Sequence, residues 1–212
     1  MHRLLTLTRI IIIILFISWE LNAQVALPTF QGVQVQHCDN TLTVNQSDRG
    51  WYISNGNHGA SNQNTITGPG YSDAHSWFTF DLTGFSGGAC AVTLRLELER
   101  YSSTASSVTS TIYDVSTSHD DLVTSHSSGS SSGQTIYADL GAGNSYGSAT
   151  FASGDVGDII EYTLSSQAVS DVNSAAGAWF SVGTTMANDN DNGYIRFSAS
   201  SESRTHQLVI KN

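Results

Sequence analysis

Few places in this 212-residue chain put reactive side chains at spacings that could do chemistry. Gly129-Ser130-Ser131-Ser132-Gly133 fits the G-x-S-x-G pattern of a nucleophile elbow, with His126 close by. An elbow needs a strand before the serine and a helix after it, because the sharp turn between them presents the hydroxyl. Here the pattern sits in a Ser/Gly tract, Ser125 to Gly133, that reads as a mobile loop between strands. Strand-like Thr135-Ile136-Tyr137 follows it, so no nucleophile is assigned. The histidines at His37, His58, His75, His119, His126 and His206 form no H-x3-H or H-E-x-x-H pair, and His119-Asp120-Asp121 reads as a polar turn. Asn188 to Ile195 has the register of an EF-hand loop, with Gly193 at the sixth position. Asn occupies the ligand positions, and Ala199 stands where a bidentate Glu is needed. A hairpin turn built on Asn192-Gly193 is the expectation, not a strong calcium site. Glu97 and Glu99 share one face of a strand, roughly 6.6 to 7 Å apart. That separation suits an inverting glycosidase in principle. They flank Arg95 and Arg100, however, and read as a solvated face with cross-strand pairing. The expectation is therefore no catalytic residue, no metal and no cofactor.

A binding surface has better candidates. Trp51, Tyr52, Asn55, His58 and Tyr71 lie in one stretch rich in Asn, Gly and Ser. Flat aromatic faces can stack on sugar rings while amides and imidazole bond the hydroxyls. The counter-reading is core packing, and adjacent Trp51 and Tyr52 point to opposite sides of any strand, so at most one is free to face a ligand. Trp77, Phe80 and Trp179 read as core.

The elements that must position these groups are mostly strands. Val92, Leu94, Leu96 and Leu98 alternate with Thr93, Arg95, Glu97 and Glu99, the pattern of a half-buried strand. Similar alternation marks Val33 to Gln36, Thr41 to Val44 and Trp77 to Leu82. Further strands are predicted at Ser110 to Val115, Thr135 to Tyr137, Gly147 to Phe151, Ile159 to Leu164, Ala178 to Val182, Tyr194 to Ser198 and Gln207 to Ile210. About ten short strands with Gly, Asn and Ser turns predict an all-β, two-sheet antiparallel sandwich. Ser165 to Ala176 breaks the pattern. Its apolar residues recur with helical period between Ser caps and Gly177, which predicts one short helix across an end of the sandwich.

Composition agrees. Ser and Thr number 32 and 21, charged residues are 12%, Pro occurs twice, and Lys211 is the single lysine. Collagen-like, coiled-coil and Pro-rich classes are excluded. Arg3 and Arg9, the apolar run Ile10 to Ser18 and Leu21-Asn22-Ala23 read as a signal peptide over residues 1 to 23, leaving one domain over 24 to 212. An uncleaved anchor is the alternative, but the run is too short to cross about 30 Å of hydrocarbon. Losing Arg3, Arg9 and Glu20 leaves six basic and 17 acidic side chains, a net charge of −11. So acidic a surface repels phosphate backbones and anionic lipid, so neither nucleic acid nor membrane is an expected partner. Secreted or extracellular location is expected, with the periplasm as the alternative. In an oxidising space Cys38 and Cys90 form one disulfide by default; two buried thiols are the other reading.

The order of motifs also resembles a family of secreted bacterial domains. Gly50-Trp51-Tyr52 and Asn55-Gly56-Asn57-His58 are similar to that family's "GWY…G.H" opening. Trp77 to Gly84 resembles its "FFVFDLSG" strand, and Ala91 to Leu96 its "SATLRL" strand. Tyr113 to Thr117 resembles "LFDVST", and Asp139 to Gly143 with Tyr146-Gly147-Ser148 resembles "DLGSG..YGS". The resemblance runs from about Asp48 to Ser198 and implies an extracellular β-sandwich. Many members end in a PEP-CTERM sorting tail; Lys211-Asn212 does not carry that pattern, so such sorting is not expected. A broader likeness to jelly-roll modules on polysaccharide enzymes is fold-level analogy. The resulting expectation is a secreted, non-enzymatic jelly-roll binding or matrix-associated module, with extracellular polysaccharide or cell-surface matrix as partner and glycan as ligand. The rival is a structural or adhesive surface protein without a small ligand.

Overall fold

The computed structural model describes residues 38–187, 192–200 and 202–212. The segment expected to be a signal peptide, the strand expected at Val33 to Gln36, His37 and Asn188 to Asp191 lie outside these residues. Alternation builds the rest. In β4 (Ala91–Glu97), Val92, Leu94 and Leu96 are buried while Thr93, Arg95 and Glu97 are half-buried. The neighbouring β11 (His206–Lys211) sets Leu208 opposite Leu94, and β8 (Ile159–Thr163) sets Tyr162 on its other side. Apolar side chains thus line up in rows across strands, the unit of sheet stabilisation.

Eight strands form one continuous antiparallel sheet. Its spatial order is β7 (Ser145–Phe151), β6 (Val108–Asp114), β9 (Trp179–Met186), β3 (Ala74–Asp81), β1 (Thr41–Ile53), β11, β4, β8. The long β1 joins the two halves: Thr41 to Asn45 pair with β11, and Gln46 to Ile53 pair with β3 across a bulge. A bulge bends the strand and raises its twist, which lets the sheet turn back on itself. The halves enclose one core, with Phe78, Phe80, Ile112, Phe151 and Val182 from one side and Leu94, Leu96, Tyr162, Leu208 and Ile210 from the other. The ends of the sheet come together where the Ser165 amide bonds the Tyr146 carbonyl at 2.7 Å. The result is a β-sandwich-like, all-β fold. A small second sheet, β2 (Thr65–Thr67), β10 (Tyr194–Ser198) and β5 (Arg100–Ser102), is attached to it, with Phe197 of β10 reaching the main core.

Cys38 and Cys90 are joined, with Cα atoms 6.2 Å apart. Cys38 precedes β1, Cys90 precedes β4, and β11 lies between those strands, so the bond spans the C-terminal end of β11. A disulfide indicates a non-cytoplasmic, oxidising compartment. No helix among the described residues is long and apolar enough to cross a membrane.

The helical content corrects the sequence reading. Three helices are present among the described residues, not one: α1 (His119–Leu122), α2 (Ser131–Asp139) and α3 (Ser166–Ser174). The predicted helix is α3, capped by the Ser165 hydroxyl on Ala168 N–H and followed by Gly177 at φ +79°. Thr135 to Tyr137 belongs to α2 rather than to a strand, and Ser125 to Gly133 is not a free loop. His126 makes an antiparallel bridge with His58, and Ser130 caps α2 by accepting from Gly133 N–H. Ile136 and Leu140, four residues apart, bury on Tyr52 and Trp77 together with Leu122 of α1. Tertiary burial on the outer face of β1 and β3 thus overrides a three-residue alternation.

Candidate ligand-binding groove

At the end of the sandwich where β6 stops and β7 and β9 begin, a groove of about 380 Å³ opens beside α3. Trp179 is the first residue of β9. Phe180 and Val182 point into the core, so Trp179 and Ser181 face the other way. Trp179 is 41% exposed, which corrects its sequence assignment as core. Its ring is held: the His119 imidazole stacks on it with centroids 4.1 Å apart and planes 6° from parallel. His119 Nε2 in turn lies 2.9 Å from Asp48 Oδ2. α1 thus exists partly to place this imidazole, and Ser118 caps it by accepting from Asp121 N–H.

The polar lining is equally fixed. Asn144 donates to both oxygens of Asp114, from its amide at 2.7 Å and its side chain at 3.1 Å. The Tyr146 hydroxyl donates to Asp171 Oδ2 at 2.7 Å, and Gln167 Nε2 donates to Oδ1 at 3.0 Å. Burial and the Asp171 carboxylate hold the Tyr146 phenol well above its ordinary range. The Ser116 to Ser118 segment borders the groove. Asp139 anchors it by accepting from the amides and hydroxyls of Ser116 and Thr117 at 2.7 to 3.0 Å. Ser116 also lines a second cleft of about 530 Å³, shared with Thr117, Ser118, Asp121, His126 and Thr135. Aromatic face, amides, hydroxyls and carboxylates therefore converge on one rigid surface.

The residues singled out in the sequence lie elsewhere, around the C-terminal half of β1. Trp51 is 7% exposed and packs edge-on against Tyr71, which is 39% exposed and also meets Tyr194. Tyr52 is fully buried, its hydroxyl donating towards the carbonyls of Asp121, Leu122 and Thr124 at 3.1 to 3.3 Å. His58 is 2% exposed, stacks on Tyr52 and lies 2.8 Å from the Trp51 carbonyl through Nδ1. Burial holds its imidazole below the ordinary range. Asn55 is exposed, and its carbonyl accepts from Gly129 N–H. Trp51, Tyr52 and His58 thus tie the helical cap and the turn at Tyr71 to the sheet, and only Asn55 and Tyr71 of the five reach the surface.

The G-x-S-x-G segment does open a helix, but His126 Nδ1 faces Ser130 Oγ at 3.2 Å rather than the central Ser131. Ser130 Oγ is also the helix cap, and no carboxylate partners His126 among the described residues. Glu97 and Glu99 are held by arginines: Arg204 donates to Glu97 at 2.6 Å, and Arg196 grips Glu99 through both Nε and Nη2. The Thr205 amide for Glu97 and the Arg196 guanidinium for Glu99 pull both carboxyls below their usual range. No group of three or more His, Cys, Asp or Glu side chains among the described residues is arranged to hold a metal.

A scan against protein-family models gives no match, and a search of curated proteins finds no relative of this chain.

Proposed function

We propose that the protein is a secreted, non-enzymatic β-sandwich module of jelly-roll type that binds glycan through the groove at Trp179. The single observation that carries this reading is an exposed indole, braced by His119, opening onto a groove lined with side-chain amides, hydroxyls and carboxylates. An aromatic face gives a sugar ring a stacking platform, and groups already locked by hydrogen bonds bind without a large ordering cost. The resemblance to secreted bacterial domains points the same way on location. A structural or adhesive role without a ligand is the rival, and it gives the braced indole no task. Glycan-array binding of residues 24–212 beside Trp179→Ala tests the reading. Retention by the parent chain and its loss in the variant, which still unfolds cooperatively, supports it. Equal behaviour of the two chains overturns it.

A further inference from the structure

The groove has an unbalanced charge. Its lining includes Asp114 and Asp171 and contains no Lys, Arg or His. Neither carboxylate takes part in an ion pair among the described residues. Their partners are neutral donors: Asn144 for one, and Tyr146 with Gln167 for the other. This contrasts with Glu97, Glu99 and Glu161, each of which has an arginine. Hydrogen bonds from amides and a phenol fix the position of a carboxylate but leave its charge in place. Trp179 adds the negative face of an indole to the same groove. Fixed carboxylates beside an exposed indole suit a cation carried on a ring that can stack.

Resting on the glycan reading above, we infer that the groove selects cationic amino sugars: Trp179 stacks the pyranose ring while Asp114 and Asp171 receive the protonated amine of a glucosamine-type unit. A neutral N-acetylated or hydroxyl sugar would stack on the same indole but leave both charges uncompensated. An anionic sugar would be repelled. The amine needs no covalent step, so binding is reversible and weakens with ionic strength.

Calorimetric titration of the mature domain with three soluble probes decides the matter: glucosamine oligomers, N-acetylglucosamine oligomers of equal length, and oligolysine. The buffer is mildly acidic, so that the sugar amine is protonated. Glucosamine oligomers are expected to bind about tenfold more tightly than the acetylated ones, with the margin shrinking in high salt. Asp114→Asn and Asp171→Asn should each lose about fivefold towards the amino sugar and nothing towards the acetylated probe. Asp158→Asn, which removes the same charge at the start of β8, should change neither. Equal binding of the two sugars overturns the inference and leaves the glycan reading standing. Binding of neither overturns both. Oligolysine binding as tightly as the amino sugar, indifferent to Trp179→Ala, also overturns the inference, because the acidic surface alone would then explain the affinity.

Discussion

Trp179 and Trp77 show how one residue type takes opposite tasks on adjacent strands, four residues apart in register. Trp77 in β3 is buried under α2, whereas Trp179 pairs with Asp81 at the start of β9 and lies open. Trp77→Ala is expected to lower stability by about 3 to 5 kcal/mol in chemical denaturation, because a large core cavity forms. Trp179→Ala should cost less, about 1 kcal/mol, the scale of the His119 stack that it gives up. Trp51→Ala should behave like Trp77→Ala in sign, since its ring is buried against Tyr71. Tyr52→Phe isolates a different contribution. It keeps the ring and removes the hydroxyl that reaches three carbonyls of the α1 segment. A loss of about 1 kcal/mol is expected, with faster amide exchange confined to Ser118 to His126.

At the scale of elements, the glycines of the G-x-S-x-G segment have a structural explanation. Gly133 lies so close to the Gly56 carbonyl that a Cβ there would overlap it, and Gly56 itself adopts φ +83° against the α2 N-terminus. The helix can dock on the β1–β2 connection only because neither residue carries a side chain. Gly133→Ala should therefore cost more than about 2 kcal/mol, although alanine is the better helix former. Ser130→Ala, which removes only the cap, should cost about 1 kcal/mol. Thermal melts of both variants beside the parent check the ordering; a stabilised Gly133→Ala would mean that the helix is not docked as described. The same docking explains why α2 was not legible. Its buried residues, Gly133 and Ile136, with Leu140 at the C-terminal cap, are too sparse in a Ser/Thr-rich stretch to outweigh a strand-like triplet. In α3 the apolar period and the caps coincide, and the helix was legible.

For the whole molecule, the buried histidines tie stability to pH. Burial, with Arg49 adding repulsion, pulls the His206 imidazole down to about 4. An unfolded histidine titrates near about 6.5. Between those values the unfolded chain takes up a proton that the native state refuses, so stability is full above about pH 6.5 and falls as pH drops towards 4. His206 alone accounts for roughly 3 kcal/mol across that window. His58 and His75, also lowered by burial, act in the same direction. Urea unfolding at several pH values should show this fall, and His206→Gln should flatten it. Reduction of the Cys38–Cys90 bond should remove roughly 4 kcal/mol through the loop of about 50 residues that it closes. Intact mass before and after reduction, with alkylation, reports the bond directly; two cysteines alkylated without reduction would contradict it.

What the sequence determined by itself was whatever short-range periodicity encodes. Alternation in Val92 to Glu97 marked β4 and its buried face, and the caps around Ser165 and Gly177 marked α3. Apart from periodicity, two cysteines in a chain read as exported marked a disulfide that the fold contains. The same alternation already set Trp179 on the side of Ser181, opposite Phe180 and Val182, but a tryptophan's size argues for burial unless its cover is known. Only the tertiary structure supplies that cover. It brings α1 and α2 over Tyr52 and Trp77, and gives Trp179 the His119 ring while leaving the indole 41% exposed. It gathers Asp48, Asp114, Asp171 and His119, which are separated by up to 123 positions, into one end of the sandwich. It also turns Trp51, Tyr52 and His58 inward, because β1 runs on to Ile53, pairs with β3 and is packed over, while Asn55 and Tyr71 stay at the surface. Long-range pairing decides which side of a strand meets solvent, and no local pattern carries that information.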